Sequence, residues 1–162
     1  MIILLLLTVT GFLIHASIVY QGFYETAFRQ FRVPEISSGF VPQGLVYCES
    51  KDIFLISGYT IKNDYAILFI VEPDGGYKKI SIVGDDGNSF ANHAGGVSIW
   101  RDFIFLAGCD GKCYVLDRES VFDFDNDSVR VIGSLDAYNN ADFCYIYNDQ
   151  LLGNCESQRH RA

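Results

Sequence analysis

The chain has 162 residues, with 12 Lys plus Arg against 20 Asp plus Glu and a formal net charge of −8 at pH 7. That balance argues against nucleic acid as a partner, because phosphate binding needs a clustered basic footprint and the cations here are few and scattered. Hydrophobic residues make up 49% and aromatic residues 15%, which is enough for a packed core and suits the half-buried surface of a pleated sheet.

Residues Met1 to Tyr20 form an almost unbroken apolar stretch without a charge. As a helix it would span roughly 30 Å, the thickness of a bilayer's hydrocarbon core. Two readings compete: a signal peptide cleaved near Ala16, and an uncleaved membrane anchor. Neither has the expected basic residues before the apolar run, since no Lys or Arg precedes Arg29. Export is the expectation, with an extracytoplasmic location that is either membrane-anchored through residues 1–20 or secreted. Residues 21–39 then read as a linker.

From residue 40 the pattern changes to short apolar runs of strand length. Lys51-Asp52-Ile53-Phe54-Leu55-Ile56-Ser57-Gly58 and Arg101-Asp102-Phe103-Ile104-Phe105-Leu106-Ala107-Gly108 repeat one another. Each is a polar turn, five mostly apolar residues and a glycine, and they are spaced roughly 50 residues apart, the period of a propeller blade. The first unit opens with the lead-in Pro42-Gln43-Gly44-Leu45, turns at Glu49-Ser50-Lys51-Asp52, and continues with strands over Tyr65 to Glu72 and Tyr77 to Val83. The turn Pro73-Asp74-Gly75-Gly76 separates the last two. Asp85-Asp86-Gly87-Asn88 is a further turn signal.

The second unit opens with Asn92-His93-Ala94-Gly95-Gly96-Val97 and turns at Arg101-Asp102. Its later strands cover Lys112 to Asp117 and Ser128 to Leu135, the last following the acidic stretch Asp123 to Asp127. That stretch begins like a calcium loop but carries Ser128 where the required glycine would stand, so it is not an EF-hand. A third unit begins at Asn139-Asn140-Ala141-Asp142, runs through Phe143 to Tyr147, and turns at Asn148-Asp149. The expectation is therefore an all-β chain, a partial β-propeller of about two and a half four-stranded blades over residues 40–155, preceded by an N-terminal hydrophobic helix. Residues 156–162 read as an unstructured tail. Since closed propellers have about four to eight blades, the chain reads as a piece of a longer protein, or as an arc completed by self-association.

Of the five cysteines, Cys109 and Cys113 flank a hairpin turn, so a short-loop disulfide between them is expected in an oxidising compartment. Cys48, Cys144 and Cys155 fall in apolar strands and read as small buried hydrophobes.

The best candidate for chemistry is Asn92-His93, because the innermost strand of a blade lines the channel and its lead-in faces the ligand end. Gln43, Asn139, Asn140 and Asp142 hold the matching places in the other units, and all can offer oxygen ligands. Calcium takes about six to eight such oxygens. A central Ca²⁺ with His93 as catalytic general base is one coherent site; no cofactor at all is the other reading. The lead-ins Pro42-Gln43-Gly44-Leu45 and Asn92-His93-Ala94-Gly95-Gly96-Val97, with the apolar hairpins after them, resemble the six-bladed calcium-dependent propellers of the gluconolactonase, arylesterase and strictosidine synthase superfamily. The resemblance implies a six-bladed fold and a lactonase or esterase activity. The paired catalytic histidines and the ligand glutamate of that superfamily are absent here. The first expectation is thus a non-catalytic propeller-like domain that binds a ligand or protein partner. The alternative is a calcium-dependent hydrolase with its site at the channel.

Overall fold

The structure, a computed structural model, describes residues 21, 31–137 and 143–153. The chain divides into two compact units, Met1–Gln30 and Phe31–Ala162. The apolar stretch of residues 1–20, the tail 156–162 and the lead-in Asn139 to Asp142 lie outside the described residues. Among the described residues no helix is long and apolar enough to cross a membrane.

The second unit is almost entirely β. Its strands are β1 (Phe40–Cys48), β2 (Ile53–Thr60), β3 (Ala66–Val71), β4 (Tyr77–Val83), β5 (Val97–Trp100), β6 (Phe103–Ala107), β7 (Lys112–Asp117), β8 (Ser128–Asp136), β9 (Cys144–Tyr147) and β10 (Gln150–Gly153). They fall where apolar runs and polar turns lead one to expect. Asp52, the last residue of the first hairpin turn, and Arg101, the first of the second, both take left-handed backbone conformations. Asn148 and Asp149 do so together in the third, as a two-residue turn compatible with strand twist requires. Gln43 sits where the β1–β2 register shifts between Pro42 and Gly44, a bulge that tolerates proline on an edge strand.

The first eight strands form one nearly closed, barrel-like sheet in the order β1-β2-β3-β4-β8-β7-β6-β5. It consists of two antiparallel meanders of like order, β1 to β4 and β5 to β8. They are joined where β4 runs parallel to β8, Ser81 to Val83 beside Ser128 to Arg130. Separate four-stranded sheets were expected here, and the join has a local cause. Lys78 Nζ donates to the Asp123 carbonyl at 3.2 Å and to the Phe124 carbonyl, and Ser81 N–H donates to the Asp127 carbonyl at 3.0 Å. The acidic loop is thereby held against β4, and β8 emerges alongside it. A separate two-stranded sheet, β9 with β10, completes the described fold.

Packing follows from the two-residue period of strands. Leu55, Leu68, Ile70, Ile80 and Ile82 of the first meander meet Ile104, Leu106 and Leu116 of the second in the main core. Opposite faces bury smaller clusters. Phe40, Ile56, Ile67, Phe69 and Val71 are covered by Phe31 and Val33. On the second meander Phe105, Ala107 and Cys113 pack with Cys144, Ile146 and Leu151 of the last hairpin. All six residues of β3 are buried, because it carries apolar side chains to both faces.

One element had no counterpart in the strand pattern. Arg118–Phe122 forms a short helix, α1, which buries Val121 and Phe122. The Asp117 carboxylate caps it, accepting from Ser120 N–H at 2.7 Å and from Ser120 Oγ at 2.6 Å. These bonds, the hydroxyl's first and the amide's second, hold the Asp117 carboxyl below its ordinary range. Replacing Asp117 with Ala is expected to cost about 1 kcal/mol, read as a lower urea midpoint with an unchanged slope. A depressed folded pKa contributes stability above the unfolded value and loses it as pH falls through the folded one. The gap between wild type and D117A is therefore full at neutral pH and closes as the pH falls below about 4.

Candidate functional site

The first two lead-in segments that the sequence singled out are brought together by the near-closure of the sheet. A Cβ on Gly44 would lie 2.6 Å from the Gly95 carbonyl oxygen and 2.8 Å from Val97 N, so β1 and the approach to β5 touch backbone to backbone. Ser57, fully buried on β2, donates its hydroxyl to the same Gly95 carbonyl at 2.9 Å. The next junction has the same close glycine contact, with its serine on β5 itself rather than on the neighbouring strand. A Cβ on Gly96 would lie 2.6 Å from Cys144 N and 2.7 Å from Phe143 Cα, and buried Ser98 donates to the Cys144 carbonyl at 2.7 Å. Ser57 and Ser98 are the buried polar side chains among the described residues, and each bonds to the start of the next unit. Their burial is acceptable because each hydroxyl has a partner.

Asn92 and His93 lie on the turn that feeds this junction. Ala94 there adopts a left-handed conformation, φ 48°, uncommon for a residue with a Cβ. Asn92 supports it, its Oδ1 accepting from Ala94 N–H at 2.9 Å while its own N–H donates to the Asp64 carbonyl at 2.9 Å. The His93 ring stacks on Tyr59, centroids 4.1 Å apart and planes 12° from parallel, with both residues half-buried. Gln43 is exposed at its bulge and borders a shallow groove of about 240 Å³ with Phe31, Val33, Leu45 and Ile56. The first two lead-ins thus converge through their backbones, while the side chains of Gln43 and His93 have separate surroundings. Asn139, Asn140 and Asp142 lie outside the described residues. Among the described residues no group of three His, Cys, Asp or Glu side chains stands close enough to hold a metal ion.

Tyr59 was not singled out from the sequence, and no local spacing would have found it, because it lies on β2 and reaches His93 across the sheet. A second concavity was also unforeseen. It is a cleft of about 470 Å³ bordered by Asp86, Phe90, Lys112, Tyr114 and Ser134. Burial, and then the hydrogen bond its hydroxyl donates to Asp110, push the Tyr114 hydroxyl well above the ordinary phenol value. The Asp85 to Asn88 segment is the turn it was read as. Asp86 accepts from the Asn88 side-chain amide and backbone N–H, both at 2.9 Å, and those bonds hold its carboxyl down.

The cysteines require a correction. No disulfide joins Cys109 and Cys113. Cys113 points inward from β7 and is 3% exposed, whereas Cys109 is exposed in the turn. Cys113 instead packs in one buried cluster with Cys144, Phe105 and Ala107.

Comparison with protein-family profiles, with curated proteins and with solved structures finds no match.

Proposed function

We propose that residues 40–155 form part of a β-propeller-type domain that binds a ligand or protein partner at the channel end of its inner strands and does not itself catalyse a reaction. The observation that carries this reading is the repeated junction. Gly44 lies opposite Ser57, and Gly96 lies opposite Ala107, at the matching place in the second hairpin. Each glycine meets backbone near the start of the unit that follows it. Inner strands set side by side by one repeated contact are what a ring of blades needs. Face-to-face burial of the two meanders supports the same reading. The parallel contact between β4 and β8 joins only the outer strands, over a short stretch. Residues 1–20, an apolar run of bilayer length, support export with the domain tethered or released outside the cytoplasm.

At the proposed binding end the half-buried Tyr59–His93 stack offers a flat aromatic surface, and Gln43 offers an exposed amide beside an apolar groove. The rival is a calcium-dependent lactonase or esterase with His93 as general base. It would take an oxygen ligand from Asn92 Oδ1, which accepts from Ala94 N–H and has a second lone pair, and its base from His93, stacked face to face on Tyr59. The test is a calcium titration of the full chain, followed by thermal midpoint, with turnover of simple lactones and aryl esters measured alongside. Binding without catalysis gives no midpoint shift at millimolar calcium and no turnover above buffer. A midpoint that rises with calcium, as mass action demands of a native-state ligand, together with turnover lost by about 10²-fold or more in H93A, would overturn it.

A further inference from the structure

We propose that the outer face of the β9–β10 hairpin receives the first meander of a second copy of this chain, so that two copies close head to tail into one ring. Counting back from the closing pair of each hairpin, Cys48–Ile53, Trp100–Phe103 and Tyr147–Gln150, puts Leu45, Val97 and Cys144 at one place and Val46, Ser98 and Tyr145 at the next. Side chains alternate between the two faces of a strand. Each unit therefore has a leading face, toward the unit that follows, and a trailing face, toward the one before. The second meander covers the leading face of the first, at Val46, Cys48 and Leu55, with its own trailing Val97 and Ile99. The hairpin covers the leading face of the second, at Trp100 and Phe105, with its trailing Cys144 and Ile146. One register is thus buried twice in the same sense, leading face onto trailing face.

Among the described residues two faces of that kind stand open. The leading face of the hairpin shows Tyr145, Tyr147 and Leu152, all exposed. The trailing face of the first meander shows exposed Leu45 and Tyr47, at the places where Val97 and Ile99 are covered in the second. Phe31 and Val33 cover part of this face and leave along β1 the groove of about 240 Å³ bounded by Pro42, Leu45 and Ile56, with no charged side chain on its border. Pro42 and Leu45 stand where Ala94 and Val97 stand at the next junction, in the cluster that takes Val46. Tyr145, at the place of Val46, is the side chain that seats in the groove. Each open face has the register the other lacks, and so the occupant is a second copy rather than an unrelated protein. A contact between unlike faces makes a ring if its rotation closes and a filament if it does not. Two copies, each with two meanders and a hairpin, bring about six stacked layers, within the about four to eight of a closed propeller. Such a ring makes the contact twice, the second time at high effective concentration.

The inference rests on the reading of the chain as a stack of propeller blades. Its test is sedimentation of the purified full chain in a density-matched nonionic detergent, which masks the apolar run of residues 1–20. Wild type is expected at the mass of two copies. Leu45→Arg and Tyr145→Arg alter side chains that are 62% and 59% exposed, so neither should unfold the chain, and each should weaken association on the order of 10²-fold. An equimolar mixture of L45R and Y145R should recover pairs, because one intact leading face and one intact trailing face remain between them. Ile132→Arg, a comparably exposed position on β8, is the control and should sediment as wild type. A wild type that runs as a single copy, an L45R or Y145R that pairs as tightly as wild type, an I132R that is equally weakened, a mixture that stays monomeric, or an open ladder of larger species each overturns the two-copy ring. None of these results touches the ligand-binding reading, which the calcium titration decides on L45R as well as on wild type. Failure of the blade stack itself shows separately, in the stability of variants at Gly44 and Gly96.

Discussion

Replacing Gly44 with alanine is expected to lower the thermal midpoint by about 10 °C, and Gly96→Ala to release the last hairpin while leaving the main sheet folded. Neither glycine is needed for a left-handed turn; each is required by proximity. The new methyl on residue 44 would stand 2.5 Å from Ser57 Oγ, 2.6 Å from Gly95 O and 2.8 Å from Val97 N. Two of those three atoms are backbone, so relief requires β1 to move away from the approach to β5, and the Ser57 hydrogen bond to Gly95 lengthens with it. Overpacking of this kind costs about 1–3 kcal/mol and more when backbone must shift, and each kcal/mol is worth about 2–4 °C in a domain of this size. At residue 96 the methyl would meet Cys144 N and Phe143 Cα and Cβ, all on the far side of the junction with the hairpin. The expected readout is faster proteolysis within residues 143–153 with little change in the main unfolding transition. Gly133→Ala is the control. Nothing stands within 4 Å of its added carbon, so its midpoint should match wild type within the error of a neutral surface change. If G44A and G96A behave like G133A, the junctions are not close-packed and the repeated contact that carries the propeller reading is lost.

What could be read from the chain alone was local. Strands β4 and β7 lie where expected, Tyr77–Val83 and Lys112–Asp117, and β3 covers Ala66–Val71 within an expected Tyr65 to Glu72. Apolar runs bounded by turn residues carry their own signal at short range. The helix α1 was legible in principle, because Asp117 followed by Glu119 and Ser120 is a helix-start pattern, but five residues between two strands are easily absorbed into a loop. The pairing of β4 with β8 was not legible. It depends on Lys78 reaching carbonyls some 45 residues away, and no periodicity reports a contact of that separation. The same limit decided the candidate site. Spacing placed Cys109 and Cys113 together because they are close in sequence, whereas the fold buries Cys113 in one cluster with Cys144 and leaves Cys109 exposed. It also made Asn92 and His93 look like ligands, since their types and position fit. In the structure the Asn92 oxygen accepts from Ala94 N–H within its own turn, and the His93 ring lies on Tyr59, a partner that only tertiary contact can supply.

Leu68→Ala and Phe69→Ala should both be severe, although the two side chains point to opposite faces of one strand. In an antiparallel sheet with one face in water, only one of two neighbouring residues carries weight, and its partner tolerates substitution. Here Leu68 is fully buried in the core between the two meanders. Phe69 is fully buried on the other side, its ring 4.8 Å from Phe40 and 5.6 Å from Tyr77 in edge-to-face arrangements. Truncation removes transfer free energy and leaves a cavity, which costs about 2–5 kcal/mol for Leu→Ala and about 3–5 kcal/mol for Phe→Ala. The pair is close in sequence but does not share a cavity, so the double variant should lose nearly the sum of the single losses. Urea unfolding of the three variants measures this directly. Near-additive large losses are what a layered structure requires, with the first meander covered by the second on one side and by Phe31 and Val33 on the other. A mild F69A beside a severe L68A would mean that the outer face of the first meander is open. The burial of β3 on both faces, and with it the stacking of successive sheets, would then have to be abandoned.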